Sequence, residues 1–137
     1  MTSRARLFSL YARREAMQAA GLGRSLAQAL SEGAAAQSLS ARLQRMAQEV
    51  NTSLGPALGA ELRASGFLAT SLVEEAERQN IRADHANQNV LRLGWTIKLH
   101  DQRRHIGETA AAAARLEETH AAEARAEATR PPRRVER

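Results

Sequence analysis

Apolar residues recur at alternating intervals of four and three through the second half of the chain. In a heptad frame with Leu58 at d and Leu62 at a, ten of the twelve seam positions up to Ile97 are apolar, and the exceptions are Ser65 and Gln79. The apolar positions are Leu58, Leu62, Ala69, Leu72, Ala76, Ala83, Ala86, Val90, Leu93 and Ile97. A proline-free pattern of this length predicts a coiled-coil helix.

The first fifty residues also show helical spacing of apolar side chains, beginning near Arg4. The apolar stripe of Leu22, Leu26 and Leu30 resumes at Leu39 out of phase by a residue or two. We therefore expect a stutter in this helix. Gly21, Gly23 and Gly33 could instead form a hinge, because glycine weakens a helix by about 1 kcal/mol relative to alanine.

The clearest break is Asn51–Gly59, where Asn, Ser, Gly and Pro favour a turn. The sequence predicts helix one over about 4–50, a turn at 51–57 and helix two over about 57–127, within a single hairpin of residues 1–128. Helix two should overhang helix one by some twenty residues. Residues 129–137, with two prolines and four arginines, are expected to form a disordered basic tail.

The pattern changes beyond Ile97. The apolar seam is expected to slip, and the nearly pure alanine stretch that follows suits a helix without a neighbour. The shifted positions are Leu99, Ile106, Ala110, Ala113 and Leu116.

Composition favours a thin seam over a thick globular core. The chain has 137 residues, 3% aromatic residues and no cysteine. No stretch approaches 18 consecutive apolar residues and the N-terminus lacks an apolar signal core, so we expect a soluble, cytoplasmic protein, peripheral to a membrane at most. The predicted fold class is all-α, a long antiparallel two-helix coiled-coil hairpin.

The net charge of +5 is unevenly distributed along the chain. Residues 1–48 carry seven arginines and two acidic residues, whereas residues 49–129 carry nine basic and twelve acidic residues. An antiparallel hairpin would place the basic helix beside the acidic one. Nucleic-acid binding is the weaker interpretation of the high pI.

A second apolar row lies on helix two, away from the seam. Phe67, Ile81 and Trp95 all fall at position f, fourteen residues apart. Large exposed apolar groups on a slender hairpin favour contact with a partner, although self-association or a folded-back N-terminus would also cover them.

No catalytic or metal-binding motif is present, and we expect neither an enzyme nor a cofactor. The four histidines, His85, His100, His105 and His120, are spaced so that even the closest two do not share a helix face. Solvent-exposed histidines are the expected arrangement.

The layout resembles the FliJ-type stalk of the bacterial flagellar export apparatus, which is related to the stalks of type III secretion systems. The resemblance rests on a short helix, an early turn, a hydrophobic block after the turn, a lone Trp95 and an Ala/Glu/Arg-rich end. The hydrophobic block is Phe67–Ala76, the basic patch is Gln102–Arg104, and the end is Leu116–Arg125.

The resemblance implies a non-enzymatic stalk and adaptor that inserts into a hexameric export ATPase ring and contacts the cytoplasmic part of the export gate. Export chaperones are further expected partners. The ring-binding part would be the overhanging end of helix two together with the start of helix one. The implied gate-binding residues are Phe67, Leu68, Leu72, Ile81 and Trp95, and the implied ring-binding residues are Arg4, Arg6, Arg103 and Arg104. An unrelated coiled-coil scaffold or secretion chaperone is the alternative, and a basic nucleic-acid-associated coiled coil is a third.

Overall fold

A computed structural model describes residues 3–52 and 59–134 of the chain. It contains two helices, α1 (Arg4–Thr52) and α2 (Gly59–Ala128). They pack against each other as an antiparallel coiled-coil hairpin, so the predicted all-α fold is confirmed. The chain divides into two units. We call Met1–Gly21 with Ile97–Arg137 the terminal unit, and Leu22–Thr96 the central unit.

The observed helix bounds lie within two residues of the expected ones. Of the predicted turn, residues 51 and 52 belong to α1, and residues 53–57 lie outside the described part of the chain. After α2, residues 129–134 are non-helical and exposed, and the end of the predicted tail, residues 135–137, is not described.

The start of α1 is capped by side chains from both helices. The Ser3 hydroxyl accepts a hydrogen bond from the backbone N–H of Arg6 at 3.2 Å, as expected of an N-cap serine. The backbone N–H of Ala5 donates to the Glu118 carboxylate of α2 at 3.3 Å. An anionic group at a helix N-terminus is favourable because it opposes the positive end of the helix dipole. The contact aligns the beginning of α1 with residue 118 of α2.

In the central unit, the predicted α2 seam holds from Ser65 onwards. Its buried residues are Ala69, Ala76, Gln79, Ala83 and Ala86, and the intervening seam positions are partly buried. Leu62 is exposed and Leu58 lies outside the described residues. Within the described residues, the pairing of α2 with α1 therefore begins at Ser65, after the exposed Leu62.

The expected stutter in α1 is wrong. Every buried residue of α1 falls on one uninterrupted alternation of three and four, and Leu30 and Met46 lie outside it. The seam residues of α1 are Ala5, Phe8, Ala12, Glu15, Ala19, Leu22, Leu26, Ala29, Gly33, Ala36, Ser40, Leu43, Ala47 and Val50. Small residues fill most of these positions, so tracing the large apolar residues gave a false phase.

The glycines of α1 do not break the helix, which runs through all three of them with ordinary helical geometry. Gly33 is a seam residue. A Cβ atom placed on it would lie 3.3 Å from Cβ of Ala86 on α2. Gly33 thus permits close approach of the two helices, and the hinge interpretation is not supported.

The expected slip of the seam beyond Ile97 is also wrong. In the terminal unit, α2 keeps the original heptad frame, whose next positions are His100, Arg104, Gly107, Ala111 and Ala114. Leu99, Ile106 and Leu116 are 45%, 65% and 63% exposed. Because the seam here is built from small and polar residues, it could not be recognised from the large apolar ones.

The predicted overhang of some twenty residues is corrected for the same reason. Ala111 and Ala114 are 3% and 5% exposed, so the alanine-rich stretch is packed rather than free. The Arg115 guanidinium donates to the Ser9 hydroxyl at 2.9 Å, on the opposite helix. With Ala5 meeting Glu118, α2 extends ten residues past this contact, from Thr119 to Ala128.

Candidate interaction surfaces

The row of large apolar residues on the outer side of α2 is exposed, as predicted. Phe67 is 77%, Ile81 is 57% and Trp95 is 73% exposed, all within the central unit. Their position at f places them opposite the seam. At a rise of about 1.5 Å per residue, neighbouring members lie roughly 21 Å apart along the helix. They therefore form separate contact points along one line and not a continuous patch.

The other two residues of the predicted gate-binding set divide between two environments. Leu68 is 50% exposed and adjoins Phe67 on the outer side of α2. Leu72 is partly buried at a seam position, where it faces α1. Phe67 and Leu68 are thus available to a partner together, whereas Leu72 stabilises the hairpin beneath them.

The four predicted ring-binding arginines belong to the terminal unit but do not form one cluster. The guanidinium carbon of Arg4 lies 5.9 Å from the centre of the Phe8 ring, within range of a cation–π contact, and Arg6 is exposed nearby. Because Ala5 meets Glu118, the start of α1 is fourteen residues along α2 from Arg104, or roughly 21 Å.

The two α2 arginines differ from each other. Arg103 is exposed, whereas Arg104 occupies a seam position and is partly buried. Its guanidinium lies 3.8 Å from the Asp101 carboxylate and 3.7 Å from that of Glu108, both on the same helix. Arg103 is therefore the more accessible of the two to a partner.

A buried polar pair crosses the seam of the terminal unit. Nδ1 of His100 on α2 contacts a carboxylate oxygen of Glu15 on α1. The two side chains are only 14% and 6% exposed. Polar groups at a coiled-coil seam cost stability unless they are paired, and when paired they fix which residues face each other. This pair therefore specifies the alignment of α1 on α2.

Sequence reasoning missed this pair. The expectation of solvent-exposed histidines holds for His85, His105 and His120, which are exposed, and is wrong for His100. Glu15 is a charged residue on α1, a type normally found at the surface, but it is 4% exposed. Extending the heptad frame three residues beyond Ile97 would have placed His100 in the seam.

Two further buried polar residues occupy seam positions of the central unit, and both have hydrogen-bond partners. The hydroxyl of Ser40 donates to the backbone carbonyl of Ala76 at 3.1 Å, across the seam. The amide of Gln79 donates to the Glu75 carboxylate at 3.0 Å. That carboxylate also accepts a hydrogen bond from Arg78 at 2.8 Å. The hydrogen bonds from Gln79 and Arg78 lower the pKa of Glu75 below its ordinary value.

Among residues 3–52 and 59–134, no three His, Asp or Glu side chains come together in a way that could hold a metal ion. Neither described helix has a segment that is both long enough and apolar enough to cross a membrane. In comparisons with protein-family models, characterised proteins and solved structures, the chain matched none.

Proposed function

We propose that the chain is a non-enzymatic coiled-coil adaptor, a stalk of the flagellar export type that works in the cytoplasm without a cofactor. The observation that carries the proposal is the outward row of Phe67, Ile81 and Trp95 on a two-helix hairpin. These three side chains lie outside the seam that joins the two helices. Large exposed apolar side chains of this kind commonly contact another protein.

The proposed export-gate surface consists of the exposed members of the gate-binding set, namely Phe67, Leu68, Ile81 and Trp95. Their spacing suits an extended partner segment that contacts the hairpin at several points, as aromatic and large aliphatic side chains commonly anchor interfaces. Leu72 contributes indirectly, because it packs in the seam below Phe67 and Leu68. The partner is the cytoplasmic part of the export gate.

The proposed contact with the hexameric export ATPase uses the terminal unit. Arg4 and Arg6 form one basic site at the start of α1. Arg103 and Arg104 form a second basic site on α2. A ring of subunits can engage two separated points on an inserted stalk. Export chaperones are further proposed partners of the exposed apolar row.

The test of the ATPase contact is stimulation of ATP hydrolysis by a purified hexameric flagellar export ATPase on addition of this chain. Arg6→Gln/Arg103→Gln should weaken stimulation. Arg42→Gln/Arg45→Gln should leave it unchanged, since these two arginines lie outside the proposed ring contact. The two variants are matched because all four arginines are exposed. Absence of binding and of stimulation by the unaltered chain would remove the stalk assignment.

The gate contact is tested by titrating the chain with the purified cytoplasmic domain of a flagellar export gate. Phe67→Ser/Leu68→Ser should reduce affinity at least tenfold. Leu30→Ser, which removes a side chain 53% exposed on α1, serves as the control and should have little effect. Equal loss from both variants would contradict the assigned surface.

The same exposed row favours one alternative, an unrelated coiled-coil scaffold or secretion chaperone that associates with a second copy of itself. Light scattering during size-exclusion chromatography separates the two functions. A stable dimer that Phe67→Ser/Ile81→Ser converts to a monomer would support the scaffold. A monomer that binds the ATPase would support the stalk.

A further inference from the structure

The outer face of α1 in the terminal unit combines exposed leucine and methionine side chains with arginines. Leu10 and Met17 are 48% and 70% exposed, and Leu7 is 55% exposed nearby. At about 100° per residue, Leu10 and Met17 lie opposite the seam formed by Ala5, Ala12 and Ala19. We call Arg6, Leu7, Leu10, Arg13, Arg14 and Met17 the basic apolar face; its arginines are exposed.

The arginines of this face flank its apolar line on both sides. Arg6 and Arg13 lie on one side of the line through Leu10 and Met17, and Arg14 lies on the other. Leu10, Arg13, Arg14 and Met17 lie side by side on this open surface. Arginine side chains beside an apolar ridge can keep their charges at a polar boundary while the ridge enters an apolar phase.

The acidic residue of this segment does not offset its charge. Glu15 is the acidic residue of α1 up to Gly21, and it faces the seam, where it contacts His100. The surface of α1 from Arg4 to Gly21 therefore presents exposed arginines without an exposed carboxylate. A surface of this kind is complementary to an anionic one.

We propose that the basic apolar face docks on an anionic lipid surface. Leu10 and Met17 enter the acyl boundary, and Arg6, Arg13 and Arg14 contact the lipid phosphates. The basic apolar face lies on a different helix from the outward row of α2 and shares only Arg6 with the proposed ring contact, so the variants at Leu10, Arg13, Arg14 and Met17 test lipid binding separately from the export function.

Size and shape favour a lipid surface over an acidic protein helix. A stable protein interface needs about 800 Å² and some 20–30 residues per partner, whereas this face contributes six residues of one helix. The face is also a ridge on the side of α1 that points away from α2. The apolar residues of such a ridge can insert into a bilayer, and each added arginine strengthens binding to anionic lipids. A small face therefore suffices for reversible binding.

The test is cosedimentation of the full chain with vesicles of phosphatidylglycerol and phosphatidylcholine, against vesicles of phosphatidylcholine alone. Binding should require phosphatidylglycerol and should weaken as salt is raised. Each arginine near an anionic surface contributes about fivefold to the partition coefficient. Arg13→Gln/Arg14→Gln should therefore reduce it about 25-fold.

Two matched controls separate this face from the general basic character of the chain. Arg42→Gln/Arg45→Gln changes the net charge equally, at exposed positions of the central unit, and should lower binding less than threefold. Leu10→Ser/Met17→Ser should lower binding at least tenfold, and Leu30→Ser/Met46→Ser should have little effect. The side chains replaced in these three double variants and in Arg13→Gln/Arg14→Gln are all exposed, so helix content by circular dichroism should remain unchanged.

A depth probe gives an independent readout. The chain has no cysteine, so Leu10→Cys can be labelled with an environment-sensitive fluorophore. Its emission should shift to the blue with phosphatidylglycerol vesicles, whereas a label at Leu30→Cys should not shift. Three results would overturn the proposal. The first is absence of vesicle binding, and the second is an equal loss of binding in both arginine double variants. The third is binding to an acidic amphipathic peptide without binding to vesicles.

Discussion

The imidazole of His100 lies against the carboxylate of Glu15 in the seam between α1 and α2 of the terminal unit. The neighbouring seam positions on α1 are Ala12 and Ala19. Alanines alone would allow α1 to shift by a heptad on α2 with little loss, since each step offers a similar surface. A polar pair that is satisfied in one alignment makes shifted alignments unfavourable.

The first prediction concerns this pair. His100→Leu should destabilise the protein by about 2 kcal/mol or more, because it leaves the Glu15 carboxylate buried without its partner. Glu15→Leu/His100→Leu should restore or exceed the stability of the unaltered chain, since apolar groups then fill both positions. Urea unfolding followed by circular dichroism measures each free energy. The exposed His85→Leu is the control and should change it by less than about 0.5 kcal/mol.

A double variant that loses as much stability as the two single variants combined would show that the pair does not act as a unit. In that case, the role assigned to it in aligning the helices would be wrong.

The second prediction concerns the close approach at Gly107. A Cβ atom on this glycine would lie 3.0 Å from Cδ1 of Tyr11 and 3.2 Å from Cβ of Ala12 on α1. Gly107→Leu should therefore destabilise the protein by about 1–3 kcal/mol through overpacking. At Gly66 of α2 a Cβ atom would meet nothing within 4 Å, so Gly66→Leu should stabilise it by up to about 1 kcal/mol.

Thermal unfolding followed by circular dichroism distinguishes the two glycine variants by the sign of the change. Stabilisation by both leucines would mean that α1 is not packed against Gly107.

The third prediction concerns the acid dependence of Glu75. Because its pKa is lowered in the folded protein, its carboxylate contributes stability at pH values above the pKa of the unfolded state. The contribution is lost as the pH falls through the folded pKa. The stability difference between the unaltered chain and Glu75→Gln should therefore be largest near neutral pH and should vanish in acid.

Titration of the Glu75 carboxyl by NMR tests the cause of that shift. Gln79→Leu removes the amide that donates to this carboxylate, so the pKa of Glu75 should rise towards its ordinary value. An unchanged pKa in Gln79→Leu would exclude the amide as the main cause.

The fourth prediction concerns the exposure of Trp95, the single tryptophan of the chain. Because 73% of the Trp95 surface is accessible, iodide should quench its fluorescence efficiently. Binding of a protein partner to the outward row should protect Trp95 from iodide. Phe67→Ser should leave the free energy of unfolding within about 0.5 kcal/mol, because Phe67 is 77% exposed. A tryptophan shielded from iodide in the isolated monomer would contradict the outward placement.

The sequence predicted the seam where large apolar residues such as Leu72, Leu93 and Ile97 recur among its alanines, and failed where small or polar residues fill every position. Between Ser65 and Ile97 the heptad frame of α2 agrees with the observed burial, and the outward position of Trp95 follows from that frame. Beyond Ile97, Gly107 and Ala111 carry the seam. Such residues contribute little to a hydrophobic pattern, although they allow the closest helix packing.

The candidate surfaces were predictable to different degrees. The exposure of Phe67 and Ile81 follows from heptad position alone. The burial of Glu15 and His100 does not, because a charged residue is normally assigned to the solvent side, and only the partner on the other helix makes its burial acceptable. Pairing across the seam depends on the alignment of two distant segments, which a one-dimensional pattern does not contain.

A cysteine cross-link between the helices tests the antiparallel hairpin directly, because the positions that face solvent follow from the way in which α1 and α2 pair. Gly33→Cys/Ala86→Cys places two Cβ atoms about 3.3 Å apart, close to the separation typical of a disulfide. Gly33→Cys/Ala83→Cys, displaced by three residues on α2, is the matched control. On mild oxidation of dilute protein, the first variant should form an intramolecular disulfide rapidly and remain a monomer, and the control should form one slowly. Preferential cross-linking of the control, or cross-linking mainly between chains, would contradict the antiparallel hairpin in this alignment.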